Sequence, residues 1–244
     1  MKHIHLRLVT AAVVSLILCL AAQPRAKSGD FRSSHRSHSN STPNRMYRGP
    51  EERLEFISGV TGGDISYTLA GMGNSGTMRL GLRNKTETSW LVAVEIGTEF
   101  EPTEGNAQRM VVTTKVEVHV HPHEHSTVEV DVNCLDISRP APSTSDTAWT
   151  ARRSSTLGRF LECANTRITA AKRGAREEAQ LLEAARPMLI QFSLWSARGA
   201  TREQWIDFWV KYQGASRSEA VQLVDAFTPV MDVVTNNCGE LTTL

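Results

Sequence analysis

The run Val116-Glu117-Val118-His119-Val120-His121 and the run Val128-Glu129-Val130-Asp131-Val132-Asn133-Cys134 alternate valine with polar residues on either side of a break at 122–126. Side chains two apart share one face of a strand, so each run is expected to be a half-buried β-strand. Closed as a hairpin over 122–126, the runs set Val120 against Val128, Val118 against Val130 and Val116 against Val132. A one-residue slip would expose the valines and a two-residue slip would not, so parity is better specified than register.

Outward from this pair, short β-branched segments at 54–60, 65–69, 77–83, 90–96, 109–120 and 127–134 are separated by Gly, Asn and Pro turns. That spacing predicts a small antiparallel β-sandwich or barrel. Pro140, Ala141, Pro142 and Ser143 interrupt it, and beyond Trp149 the period becomes helical. Leu157, Phe160, Leu161, Ala164 and Ile168 recur at three and four residues, which is one face of an amphipathic helix. A second helix is expected after Pro187, carrying Met188, Phe192 and Trp195 and stopping at Gly199. Thr201 with Gln204, and Ser216 with Glu219, have the spacing of capping boxes. Trp205, Phe208, Trp209 and Tyr212 form an aromatic stripe that reads as the core of a helical domain.

The near-neutral total of 27 Lys+Arg against 26 Asp+Glu conceals a division along the chain. Lys2 and Arg7 precede an apolar run at 8–20, followed by Ala21 and Ala22, the pattern of a signal peptide cleaved after one of those alanines. Residues 23–50 are Ser-, Arg- and His-rich, with six basic residues against one acidic. So few aliphatic residues cannot offset the entropy of ordering, and the stretch is expected to be a disordered tail. It reads as a solvated linker or as an electrostatic contact to an acidic envelope polymer. The expected organisation is signal peptide 1–22, tail 23–50, β-sandwich 51–138, linker 139–150 and helical domain 151–244. The class is α+β. The acidic body argues against nucleic-acid binding, and no later stretch is apolar enough to span a bilayer.

Export places Cys134, Cys163 and Cys238 in an oxidising compartment, where one disulfide and one remaining thiol are the simplest outcome. The inward parity of Cys134 suggests a bond to Cys163 or Cys238. Gly71, Gly73 and Gly76 spell GxGxxG, but Thr77 to Leu82 alternate like a strand, so a glycine-rich hairpin is expected and not a nucleotide loop. Asn84-Lys85-Thr86 and Asn40-Ser41-Thr42 are glycosylation sequons.

Within the body, every histidine lies in one segment: His119, His121, His123 and His125. In the expected hairpin, Glu117, His119, His121, Glu129 and Asp131 share the outer face. Imidazoles and carboxylates suit Zn or Cu, which makes His119, His121, His123, His125, Glu129 and Asp131 candidate metal ligands. The other reading is an exposed polar tip whose histidines gain charge toward pH ~6.5.

Arg83-Asn84-Lys85-Thr86, Ile96-Gly97-Thr98-Glu99-Phe100, Gln108-Arg109-Met110-Val111-Val112, Asn133-Cys134-Leu135-Asp136 and Pro140-Ala141-Pro142 form a succession. It resembles a little-characterised group of exported bacterial β-domains with N-x-T, G-T-x-F, Q-x-M-V and C-x-[DN] motifs. In that group a helical region with Q-x-x-x-W often follows, matched here by Gln191-Phe192-Ser193-Leu194-Trp195. The resemblance implies an extracytoplasmic β-sandwich without evident catalytic residues. The function expected is therefore a secreted or extracytoplasmic, non-catalytic binding or structural module, with a cell-envelope polymer or protein as partner. The alternative is a metal-binding protein or metal-dependent hydrolase built on His119 and His121.

Overall fold

The computed structural model describes residues 52–71, 76–143, 148–171 and 176–241. The expected signal peptide and basic tail, with the Asn40 sequon, lie outside these residues. Among the described residues nine strands precede four C-terminal helices, an α+β arrangement. Strands β1 (Glu52–Glu55), β4 (Trp90–Val94) and β7 (Val116–Val120) form a three-stranded sheet in the order β1-β4-β7. The other sheet has the order β2-β3-β8-β6-β5-β9, built from β2 (Ile65–Gly71), β3 (Thr77–Asn84), β8 (His125–Cys134), β6 (Met110–Val112), β5 (Thr98–Pro102) and β9 (Trp149–Arg153). All its pairings are antiparallel, whereas β1 runs parallel to β4.

The two valine-rich runs do not form a hairpin. β7 pairs with β4, Trp90 opposite Val120, while β8 pairs with β3 and β6 in the other sheet. The connection is an arch, and the parity expected from the sequence holds through it. Val120, Val130 and Val132 are buried, and Val116, Val118 and Val128 pack against the same core. A hairpin would have given its valines to one face of one sheet. The arch lets a single alternating stretch supply both inner walls of the core.

Asn84, 1% exposed, pins the arch at the end of β3. Its Nδ2 donates to the carbonyls of Thr88 (2.7 Å), Val120 (3.1 Å) and His121 (3.1 Å), and its Oδ1 accepts from the Thr86 backbone N–H and hydroxyl, both at 2.9 Å. The sequon at 84–86 is thus a structural turn whose amide nitrogen is fully engaged.

Three other segments differ from expectation. The 54–60 run is only briefly a strand, because α1 (Phe56–Gly62) begins within it. Glu55 caps this helix by accepting from Ser58 N at 2.7 Å, and Gly63 ends it in the left-handed region at φ 83°. The cap signals outweigh the β-branched composition, and the helix delivers Phe56 edge-on to Tyr67 at 5.3 Å and to Phe100 at 6.1 Å. The expected 109–120 strand is two strands, β6 and β7, one in each sheet. β9 extends through Arg153, so helix starts at Ser155 and not at 151. Pairing with β5 holds β9 in the sheet, Phe100 opposite Ala151. Tyr67 Oη of the opposite edge strand donates to the Trp149 carbonyl at 2.8 Å, so the six-stranded sheet curls toward closure. The glycine-rich segment joins β2 to β3 as an antiparallel pair, as expected, with Gly71 opposite Met78.

The helices are α2 (Ser155–Ala171), α3 (Arg176–Ala197), α4 (Arg202–Gln213) and α5 (Arg217–Cys238). α3 does not start after Pro187 but runs through it. One backbone hydrogen bond is lost there, while Leu189, Phe192, Leu194 and Trp195 beyond it are buried. Both capping boxes form, at Thr201/Gln204 and Ser216/Glu219. Phe192 is the hub of the helical core, with ring centroids 5.7 Å from Trp195, Trp205 and Phe227 and 5.8 Å from Trp209. Cys163 of α2 is disulfide-bonded to Cys238 at the end of α5. The expected bond from Cys134 is therefore corrected: Cys134 is a free thiol on β8, packed against the core of the sheets.

Reducing Cys163–Cys238 opens a loop spanning 75 residues, which on chain-entropy grounds removes about 4 kcal/mol. Thermal unfolding with and without reductant is expected to show a clear drop in Tm. Asn84→Ala is expected to lose about 2–3 kcal/mol in urea unfolding, because buried carbonyls of Val120 and Thr88 are left without their donor.

Candidate functional site

The expected histidine and carboxylate cluster is dispersed by the arch. With valines facing inward from both sheets, Glu117 and His119 lie on the outside of the three-stranded sheet, and Glu129 and Asp131 on the outside of the six-stranded one. His121 Nδ1 is 3.0 Å from the Ser89 hydroxyl, and His123 Nε2 is 2.8 Å from Glu87 Oε1. The His125 ring lies against Gly81, where a Cβ would sit 2.8 Å from Nε2. Glu117 pairs with Arg53 and with Lys115, the latter at 3.1 Å. Among the described residues no three His, Cys, Asp or Glu side chains converge as metal ligands. The structure does not bring His119, His121, His123, His125, Glu129 and Asp131 together as one group. A hairpin would have put these residues on one face, and an arch turns them to opposite surfaces.

A different site forms where the helices meet the end of β8. The Gln191 side chain of α3 lies along the Cys134 backbone, accepting from its N–H at 2.7 Å and donating to its carbonyl at 2.7 Å. One turn earlier, Asn133 Nδ2 donates to the Pro187 carbonyl at 3.3 Å. A carboxamide matches a peptide group in having one donor and one acceptor, so Gln191 continues the β8 hydrogen-bonding edge as a neighbouring strand would. Burial pushes the Cys134 thiol up to about 12, with the charge of Asp136 adding to it.

Two residues on, Asp136 receives three hydrogen bonds from Arg109. Nη2 reaches Oδ1 at 2.9 Å, while Nε and the backbone N–H reach Oδ2 at 3.2 Å each. Burial would raise the Asp136 carboxyl, but the Arg109 bonds and charge outweigh it and hold it below its ordinary value. Leu135 N closes the link by donating to the Arg109 carbonyl at 2.8 Å. Arg198, at the C-terminal end of α3, lies on the other side of Asp136, its Nη2 3.9 Å from Oδ1, beyond hydrogen-bonding distance. Its Nη1 is buried with no acceptor among the described residues. Burial lowers the Arg198 guanidinium, and Arg109 lowers it further. Glu99, with a side chain 3% exposed, is held by Arg152 at 2.7 Å.

Between these groups is an open cleft of about 190 Å3, lined by 135–138 after β8, by Trp195 and Arg198 of α3, by Gly199 and Ala200, and by Gln204 of α4. Asp136 is saturated by Arg109, and Gln204 Oε1 accepts from Thr201 N at 2.8 Å in the capping box. Trp195 is 2% exposed, and its indole N–H also lacks an acceptor among the described residues. Two residues lining the cleft thus each hold one N–H without an acceptor among the described residues.

Sequence reasoning did not find Arg198, which carries no motif. Its signal was positional: it stands one helical turn past Trp195, on the helix that Gln191 docks. Gln108–Arg109, Asn133–Asp136, Pro140 and Gln191–Trp195, all quoted for the resemblance, come together here. Gln108 N donates to the Pro140 carbonyl at 3.1 Å.

Gln191→Ala is expected to lose about 2–3 kcal/mol and, in hydrogen exchange, the protection of the Cys134 amide, while α2 and α5 keep theirs. Native protein at pH 8 is expected to resist iodoacetamide at Cys134 and to label on unfolding. The unfolded thiol ionises near 9.0 and the folded one near about 12, so this group leaves stability unchanged below pH 9.0 and lowers it as pH rises between the two.

No family model matches the chain, and neither curated proteins nor solved structures contain a significant match to it.

Proposed function

We propose that the chain is an exported, non-catalytic binding or structural module of the cell envelope or extracellular space. In this reading a signal segment at 1–22 is removed, and the basic stretch 23–50 presents a β-sandwich whose helical part closes one end. The observation that carries it is the Cys163–Cys238 disulfide, which joins the first and last helices of the helical part. Such bonds persist in oxidising compartments and are rare in the cytosol of mesophiles. No described helix is long and apolar enough to cross a membrane. The extended Gln191 and Arg109 contacts favour a rigid recognition surface, because they leave the cleft walls little freedom to move.

Chain recovered from the producing cells is expected in the extracytoplasmic fraction, with its N-terminus at Ala22 or Gln23 by mass spectrometry. Non-reducing peptide mapping is expected to yield a Cys163–Cys238 peptide and a single thiol at Cys134. Cytoplasmic chain that retains Met1, with all its cysteines reduced, would overturn the proposal.

A further inference from the structure

We infer that the cleft between residues 135–138 and the α3–α4 corner binds a singly charged carboxylate, with Arg198 as its principal contact. The inference rests on reading the chain as a binding module and adds the chemistry of its ligand.

Three observations carry it. Arg109, Arg152 and Arg198 stand with the carboxylates of Asp136 and Glu99 and with the exposed Glu101, and the first two arginines are paired at 2.9 Å and 2.7 Å. Arg198 reaches only to 3.9 Å from Asp136, a carboxylate already bonded three times to Arg109, and its side chain is only 15% exposed. A guanidinium N–H removed from water without an acceptor, as at Arg198 Nη1, is costly, and an oxyanion that engages the side chain supplies what it lacks. Two unsatisfied donors, Arg198 Nη1 and Trp195 Nε1, belong to residues lining the same cleft. Trp205 and Trp209 also carry indole N–H groups without acceptors, but they do not line it. The cleft, about 190 Å3, accommodates the end of a side chain or a sugar substituent and not a whole polymer.

The charge balance selects a monoanion. Arg109 is committed to Asp136 and Arg152 to Glu99, and the exposed Glu101 adds negative charge beside Arg109, so the surplus positive charge at Arg198 is at most one. A carboxylate neutralises Arg198 in bidentate geometry. A phosphate or sulfate dianion would bring a second charge toward Asp136, which also lines the cleft. The same carboxylate could come from a sugar acid of an envelope polymer or from an acidic side chain of a peptide.

The test is calorimetry on the disulfide-bonded chain with two carboxylate probes, glucuronate and N-acetylglutamic acid α-amide. Glucose and N-acetylglutamine amide are their neutral counterparts, and inorganic phosphate is the competing anion. Saturable binding of at least one carboxylate is expected, with at least tenfold weaker binding of its neutral counterpart and of phosphate; the probe that binds identifies the source. Arg198→Gln is expected to weaken binding at least tenfold. Ser138→Glu, at an exposed rim position, is expected to do the same by placing a tethered carboxylate at the mouth, and near-UV circular dichroism checks the fold of each variant. Absence of heat with both carboxylates, phosphate binding as tightly, or unchanged affinity in a folded Arg198→Gln or Ser138→Glu variant would each overturn the inference. Purified protein is used throughout, so failure here leaves the export reading standing, and failure of export leaves carboxylate binding standing.

Discussion

The carboxamide of Gln191, bonded through both its oxygen and its nitrogen to the backbone of Cys134, is the contact on which the arrangement of sheets and helices depends. The last residues of β8 pair with β6 on one side, but β3 pairs only as far as Asp131, so the other edge of Cys134 has no strand beside it. A backbone N–H or C=O in that position needs a partner, and a glutamine from a passing helix supplies both. Each such bond has a net worth of about 1 kcal/mol, so its importance lies in placement. It sets the height and rotation of α3 over the sheet, and three residues of that helix then fall into defined positions: Pro187 over Asn133, Trp195 beside Leu135, and Arg198 beside Asp136.

The electrostatics of the cleft follow from that placement. Arg109 and Asp136 form a three-bond pair between the start of β6 and the end of β8, a link within the sheet that would exist without the helices. α3 adds a second arginine to a carboxylate already satisfied. A fold selected only for stability gains nothing from an extra buried guanidinium, since an ion without a partner is destabilising. Its retention beside an open cleft makes the corner read as a recognition site. The aromatic cluster around Phe192 stiffens this corner, because Trp195 belongs both to that cluster and to the cleft wall.

Much of the β-half was legible in the sequence. The alternation in β7 and β8 fixed which residues face inward, and the capping boxes located the starts of α4 and α5. What failed did so for identifiable reasons. Valine parity is the same for a hairpin and for an arch, so the pattern could not say whether β7 and β8 share a sheet. Strand composition at 54–60 hid a helix because its signals are a Glu cap and a glycine stop, which periodicity does not weigh. β9 is short, and its Arg152 and Arg153 look like a helix entry until pairing with β5 is seen. For the site, the motif residues Arg109, Asp136 and Gln191 stood out in the sequence, but nothing local gave them partners. The histidines drew attention as a linear cluster and were then separated by topology.

Sequence by itself determined the local quantities: which faces are apolar, where the two capped helices α4 and α5 begin, and which residues are charged. These depend on neighbours within a few residues, and a period of two or 3.6 records them directly. Only the tertiary structure decided that Cys163 meets Cys238, that the valine runs wall opposite sides of one core, and that Arg198 stands against Asp136 with donors to spare. Each of those joins residues dozens of positions apart, and their approach is set by the sum of the packing of both sheets and α3. No single stretch of chain carries that sum.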